Sequence, residues 1–461
     1  MTSSNYPVFS RRDMLKTASS GFGYLAFAGL ATRAAGQSTP PHEGPLAPKQ
    51  PHFPARAKRV IFLCMRGGPS HVDTFDYKPK LSADSGSPGT RPGTKLLGSK
   101  WNFAQHGQSG LWISELFPNV ANHADDLCLL RSMQTDLPAH PQAFLQMHTG
   151  SFQFVRPSLG AWTLYGLGTG NENLPGFVTL TPSSASGGAQ NYGSSFLPAI
   201  YQGTRIGSEN RPIASAEIRN LHSPLDPAVQ RAELDLVQTL NRSTLNRDPF
   251  NPAVEGVIES YELAFRMQKE MPQVMDLSRE TEATKTLYGL DNETTADFGH
   301  KCLLARRMVE AGVRFVEVSH GDWDQHFNLS KTLGANCASV DQPISALLTD
   351  LKQRGLLKDT LVIWGGEFGR TPHAQGTDGR DHNNKAFTMW MAGGGVKGGL
   401  AHGVTDEYGY EAVENKVHVH DLHATILHLL GLDHERLTYN YAGRDFRLTD
   451  VKGNVVKEIM A

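Results

Sequence analysis

The chain has 461 residues, 39% of them hydrophobic and 20% charged, with 44 basic against 46 acidic side chains and a net charge of -2. That balance gives no reason to expect nucleic acid or an anionic membrane surface as partner, and the length supplies a core for one large α/β domain or a domain plus cap. Cys64, Cys128, Cys302 and Cys337 are too few and too scattered for a disulfide framework or a zinc ribbon, and Cys64 and Cys302 read as small buried hydrophobes. The compositional oddity is histidine, 19 in all, several of them clustered, and metal binding is one cause of such enrichment.

Ser10-Arg11-Arg12-Asp13-Met14-Leu15-Lys16, followed by the mild apolar run Gly21 to Ala31, has the form of a twin-arginine secretory signal. Residues 1–36 are read as that signal and 37–57 as a linker, which predicts a periplasmic or extracellular address. No segment is long and apolar enough for a permanent membrane span. Lys58 to Met65 is a continuous apolar run that predicts a buried first strand. It ends at Gly67-Gly68-Pro69, and the turn carries Ser70, His71, Asp73 and Asp76, which serve either chemistry or plain turn capping. Residues 81–110, rich in Gly, Ser and Pro, read as a surface excursion. Leu116 to Asn122 reads as a short helix and Leu127 to Leu130 as a second buried strand.

Pro141 to His148 has helical periodicity, which puts His140 at a helix N-terminus, a position suited to an anion. Residues 156–250 read as irregular covering structure, with 171–260 a candidate lid or insertion. Val254 to Met271 and Phe298 to Ala311 are amphipathic helices, and Arg314 to Val318 alternates as a strand. That strand opens into a loop with His320, Asp322, Asp324 and His326. Loops at the carboxyl ends of parallel strands are where open α/β sheets place their chemistry. Asp322-x-x-x-His326 offers the oxygen and nitrogen donors that zinc, manganese or iron take, although the same loop serves as a solvated acidic turn. Trp323 between them serves equally as pocket wall or core. Ile344 to Gln353 continues as helix. Asp359 to Trp364 is another buried strand, ending in Gly365-Gly366-Glu367-Phe368-Gly369-Arg370-Thr371, and Gly379-Arg380-Asp381-His382 leads into the strand Phe387 to Met391. His420 to Gly431 reads as a helix with Asp421 as N-cap and Gly431 as stop, and His418, His420 and His423 line its entrance. Alternating strands and helices predict a doubly wound α/β fold with a mainly parallel sheet.

Taken in order, GGPSHVDTFD, HGDWDQH, GEFGRTP and GRDH resemble the turns of the alkaline phosphatase superfamily, which includes sulfatases and cofactor-independent phosphoglycerate mutases. With the twin-arginine signal they look more closely like the exported bacterial family called domain of unknown function 1501, over residues 58–450 or so. The resemblance implies a divalent metal, zinc, manganese or calcium, at Asp322, His326 and His382. It departs from the superfamily where Arg66 stands for a metal-binding Asp, His140 for the nucleophile and Glu367-Phe368 for an Asp-His pair. Three readings follow. One metal activates water with Glu367 or His140 as base; or His140 is nucleophile or ligand, while His71 or Asp73 rebuilds a second metal site; or the scaffold binds an anion without turning it over. His320, Asp324 and Asp381 are expected beside the ligands, Glu367 as base or ligand, and Arg66, Arg370 and Arg380 on the oxyanion. The function implied is an exported metal-dependent hydrolase of sulfate or phosphate esters, on a small or polymeric anionic substrate such as polysaccharide. The alternative is a catalytically silent envelope protein binding an anionic ligand.

Overall fold

The computed structural model describes residues 44–216, 218, 221, 223–248 and 251–461, so the export signal predicted at 1–36 lies outside the described residues. A sheet of nine strands organises the chain. Eight of them are β1 (Arg59–Met65), β2 (Leu127–Gln134), β3 (Phe177–Leu180), β4 (Thr204–Ile206), β5 (Phe315–His320), β6 (Thr360–Gly365) and, beyond a two-stranded hairpin, β9 (Phe387–Ala392) and β10 (Leu400–His402). The hairpin is β7 (Gly369–Ala374) with β8 (Arg380–Asn383), and β11 (Val417–His418) is the ninth strand, pairing with β2. The order across the sheet is β10-β2-β9-β6-β1-β5-β3-β4. Only β9 runs antiparallel to its neighbours, so the fold is the mainly parallel α/β sheet that the strand and helix alternation predicts.

β1 is apolar throughout because both faces of its sheet are covered. Ile61, Leu63 and Met65 enter the core beneath α5 (Ala296–Glu310) and α6 (Leu329–Gln353). Val60, Phe62 and Cys64 enter the other, beneath α1 (His140–Thr149), α2 (Leu159–Leu167) and α7 (Val419–Leu429). α7 begins one residue before the predicted start. Its N-cap is His418, and Asp421 sits inside the first turn, accepting from the His418 N–H in a capping box.

Two expectations change. Pro45 to Ala57 is part of the domain's own unit rather than a free linker: Leu46 and Ala57 are buried, and the Phe53 and Ala57 N–H groups donate to Gly431 and Leu429. The stretch 171–260 supplies β3 and β4 to the sheet before the helices α3 (Pro227–Arg247) and α4 (Pro252–Met275), which Arg231 ties together through Glu262 at 2.8 Å.

Candidate metal centre

The carboxyl ends of β1, β2, β5 and β6 meet at one edge of the sheet, and the loops there interlock. Gly67, following β1, has φ +119, and a Cβ on it would stand 2.6 Å from the Asp324 amide nitrogen. Only glycine lets the β1 and β5 loops approach this closely. The Trp323 N–H donates to the Arg66 carbonyl across the same seam, and the Trp323 ring is fully buried, so it is core rather than pocket wall. From β2 a short loop delivers His140 as the first residue of α1, and the β7–β8 hairpin brings in Arg370 and His382.

Four donors converge on this edge. His140, Asp324, His326 and His382 place one ligand atom each within 4.8 Å of the others. Asp324 Oδ1 lies 3.2 Å from His140 Nε2, 3.0 Å from His326 Nε2 and 3.3 Å from His382 Nε2, and the last two nitrogens are 2.9 Å apart. The other ring nitrogens settle the tautomers. His140 Nδ1 is 2.6 Å from Glu367 Oε1, His326 Nδ1 is 2.6 Å from Gln375 Oε1, and His382 Nδ1 is 2.7 Å from the Pro138 carbonyl. Each of those partners accepts, so each Nδ1 carries the hydrogen and each neutral ring turns its Nε2 lone pair inward. Moreover, His140 Nε2 is buried and makes no hydrogen bond. Inward lone pairs facing a carboxylate oxygen call for a cation between them. The four measured separations are close to the about 3.3 Å expected between donors around a tetrahedral zinc with bonds near 2.0 Å. The residues present therefore fit a divalent transition metal, with outer partners of the kind that orient metal-binding histidines.

The electrostatics of the metal-free chain agree. Burial pushes the Asp324 carboxyl up, but the His140 and His382 imidazoles and the Arg370 guanidinium hold it well below the usual carboxylate range. Burial pulls His140 down, while the Asp324 and Glu367 carboxylates push it up to about 9. The centre stores a proton where an ion fits. Phe368, which cannot ligate, packs its ring against His140 and His382 at centroid distances of 4.7 and 4.6 Å and floors the site.

Asp322 stands outside this set. It adopts φ +67 with an exposed side chain, and its carbonyl accepts from Gln325 and Asn336. The carboxylate of the centre is that of Asp324, expected only beside the ligands. Glu367 is not among the four donors either: fully buried, it accepts from the Gly67 N–H and holds His140 from behind. Arg370 and Arg380 are not free to clamp an anion. Arg370 donates to Asp324 Oδ1 at 2.6 Å and to the carbonyls of Gly67, Gly68, Trp323 and Arg380. Arg380 grips both Asp73 oxygens, at 2.7 and 3.0 Å, with both side chains fully buried. Asp73 is thereby occupied, His71 Nε2 bonds the Gly409 carbonyl, and among the described residues neither belongs to a group of converging donors. His320 is packed between Trp323 and Ser339 rather than behind a ligand, and burial lowers it to about 3. Asp381 accepts from the His382 N–H and lies 3.8 Å from Arg91; Arg66 is partly exposed and 3.4 Å from Glu209. His420 Nε2 and His423 Nε2 bond the Gly150 and Met147 carbonyls, tying α7 to the end of α1. Sequence reasoning missed Gln375 and the Pro138 carbonyl, neither of which belongs to a ligand motif.

A mainly parallel α/β sheet with a histidine-rich centre at its carboxyl edge defines the class. A family model described as a protein of unknown function, DUF1501, matches residues 57–460, and the chain belongs to that family. Among solved structures, the PsFucS1 sulfatase from Pseudoalteromonas sp. is 12% identical with a TM-score of 0.37, the match covering 82% of this chain and 69% of that one. The lipoteichoic acid synthase LtaP from Listeria monocytogenes is 10% identical, TM-score 0.35, over 87% and 78%. An alkaline phosphatase from the Antarctic bacterium TAB5 is 12% identical, TM-score 0.30, over 77% and 94%. Matches this distant carry no activity across. Comparison with curated proteins finds no match.

Proposed function

We propose that this chain is an exported, metal-dependent hydrolase of phosphate or sulfate esters, acting on a small or polymeric anionic substrate such as extracellular polysaccharide. One observation carries the reading: three Nε2 atoms, their Nδ1 partners all acceptors, meet a single carboxylate oxygen at the carboxyl edge of a parallel sheet. Of zinc, manganese and calcium, a set of three imidazole nitrogens and one oxygen suits zinc or manganese, because calcium takes oxygen. Held by all four donors, such an ion would have to take a fifth ligand to polarise the ester oxygen and lower the pKa of water towards about 7.

The chain's own residues position and protect. Arg370 keeps Asp324 charged and oriented, and Glu367, Gln375 and the Pro138 carbonyl hold the three rings. The Phe368 ring closes off water beneath His140 and His382. Asp324, with 43% of its side chain exposed, marks the side from which the ester enters. Arg66, held by an acid only at 3.4 Å, is the expected arginine left to bind the oxyanion. His140 Nδ1 is held by Glu367 and Nε2 faces the proposed ion, so water rather than the imidazole is the attacking group.

Export rests on the twin-arginine signature at Arg11 and Arg12. Among the described residues no helix is long and apolar enough to cross a membrane. Replacing both arginines by lysine is expected to leave the chain in the cytoplasmic fraction. The binding-protein reading draws on Arg66 and Phe368, which cannot ligate where the superfamily's pattern places metal-binding residues, while the internal use of Arg370 and Arg380 removes two of the three expected anion clamps and counts against it. Elemental analysis of the folded, signal-free protein with hydrolysis assays on aryl phosphate and aryl sulfate decides the matter. Chelator-sensitive turnover with bound zinc or manganese supports the hydrolase, bound metal with no turnover of either ester leaves a different ester or the binder, and a folded chain that takes up no ion defeats the hydrolase and favours the silent binder, which needs no metal.

A further inference from the structure

A second enclosed set of donors lies on the face of the sheet covered by α1. Cys64 on β1, Glu317 on β5 and His148 on α1 bring Sγ, a carboxylate oxygen and Nε2 within 4.8 Å of one another. All three are buried, at 0%, 3% and 4% exposure. The register explains the meeting: Glu317 pairs with Phe62, so it shares the face from which Phe62 and Cys64 project. His148 follows His140 by eight residues on the same helix, about 12 Å along its axis. The two sets are therefore separate centres, not the pair of ions about 3.5–4 Å apart of two-metal catalysis.

The ring orientation is again fixed from behind. His148 Nδ1 is 2.8 Å from the Phe144 carbonyl and so carries the hydrogen, which turns Nε2 towards Glu317 Oε2 at 3.3 Å and Cys64 Sγ at 4.0 Å. A carboxylate on an apolar sheet face must be paired or must ligate. An imidazolium–carboxylate pair would satisfy Glu317 and leave the thiol without a part. A divalent ion uses all three: thiolate and carboxylate balance its two charges, the imidazole stays neutral, and the buried group is uncharged as a whole. Sulfur, nitrogen and oxygen donors together suit zinc, and the soft sulfur argues against calcium or magnesium. We propose that Cys64, His148 and Glu317 form a second metal site of the zinc class, which fastens α1 to β1 and β5 beneath the proposed catalytic centre. Cys64 is then a ligand, not the small hydrophobe its sequence context suggests.

Cobalt(II) substitution of the full signal-free chain tests this, because the centre at Asp324 contains no sulfur. The expected result is two equivalents of cobalt and a thiolate-to-cobalt charge-transfer band in the near ultraviolet. The band is kept in Asp324→Ala, with one equivalent lost, and disappears in Cys64→Ser. Loss of metal in Asp324→Ala with the band intact belongs to the first centre alone, so the two readings fail separately. A cobalt-loaded wild-type chain without the band, or a Cys64→Ser variant that keeps it, overturns the proposal. Should Cys64→Ser fail to fold, X-ray absorption on the zinc-loaded wild-type chain decides in its place: one zinc–sulfur distance near about 2.3 Å supports the site, and a shell of nitrogen and oxygen only rejects it.

Discussion

Asp322 and Asp324 sit two residues apart in one loop, and the backbone between them assigns their tasks. The left-handed conformation at Asp322 leaves its side chain exposed, while Asp324 meets Arg370 and three imidazoles. Asp324→Ala is therefore expected to abolish stoichiometric metal uptake at this centre, and Asp322→Ala to leave it unchanged, both read by elemental analysis after gel filtration. Glu367→Gln, which removes the charge behind His140, should weaken metal affinity about 10–100-fold, the usual cost of disturbing an outer partner, measured by competition with a chromophoric chelator. The Arg380–Asp73 pair is a different matter. Fully buried and bidentate, it serves the fold, and Arg380→Ala strands a carboxylate, so urea unfolding should show a loss of about 3–5 kcal/mol. The sequence showed which loop holds the donors but not which carboxylate, because a motif records spacing and the choice here depends on one backbone angle. It likewise showed arginines without showing that the chain's own carbonyls and carboxylates had already taken them.

At the scale of elements, the centre depends on the seam between the β1 and β5 loops. Gly67→Ala forces a Cβ against the Asp324 backbone at a left-handed position. The expected outcome is a chain that still folds, by circular dichroism, yet binds metal more weakly because the Asp324 loop has shifted. The sheet was legible because each buried strand is a run of apolar residues between glycine-bearing turns. Helices were less so. The pattern marks α6 only from Ile344, since Pro343 and a polar stretch interrupt it, although the helix runs from Leu329 with that proline inside. α3 escaped altogether: Gln238 is its only buried residue among those described, and Leu236 and Leu240 are exposed, so no apolar stripe marks it. β3 and β4 are too short, at four and three residues, to stand out from the loops around them.

Across the whole molecule the centre makes stability fall with pH in the metal-free chain, a dependence that a bound ion would level. His140 is raised from the ordinary imidazole value to about 9 in the metal-free chain. A group raised on folding stabilises below its unfolded pKa of about 6.5, and that contribution is lost as pH climbs through the folded value. The metal-free protein should therefore lose stability between about pH 6.5 and 9. An ion competes with the same proton, so its affinity rises over that range. Thermal melts with and without zinc should show a gap that widens with pH, and a gap that stays constant would separate His140 from the ion.

The donors also come from widely separated parts of the chain, from His140 to His382. No ribosome-bound fragment ending short of His382 can assemble them, so the proposed ion would be captured only once synthesis has nearly finished. On the proposed route across the membrane, which carries folded proteins, that capture happens before departure. On that proposal, the metal on the exported protein would reflect the composition of the cytoplasm that made it rather than that of the medium in which it works.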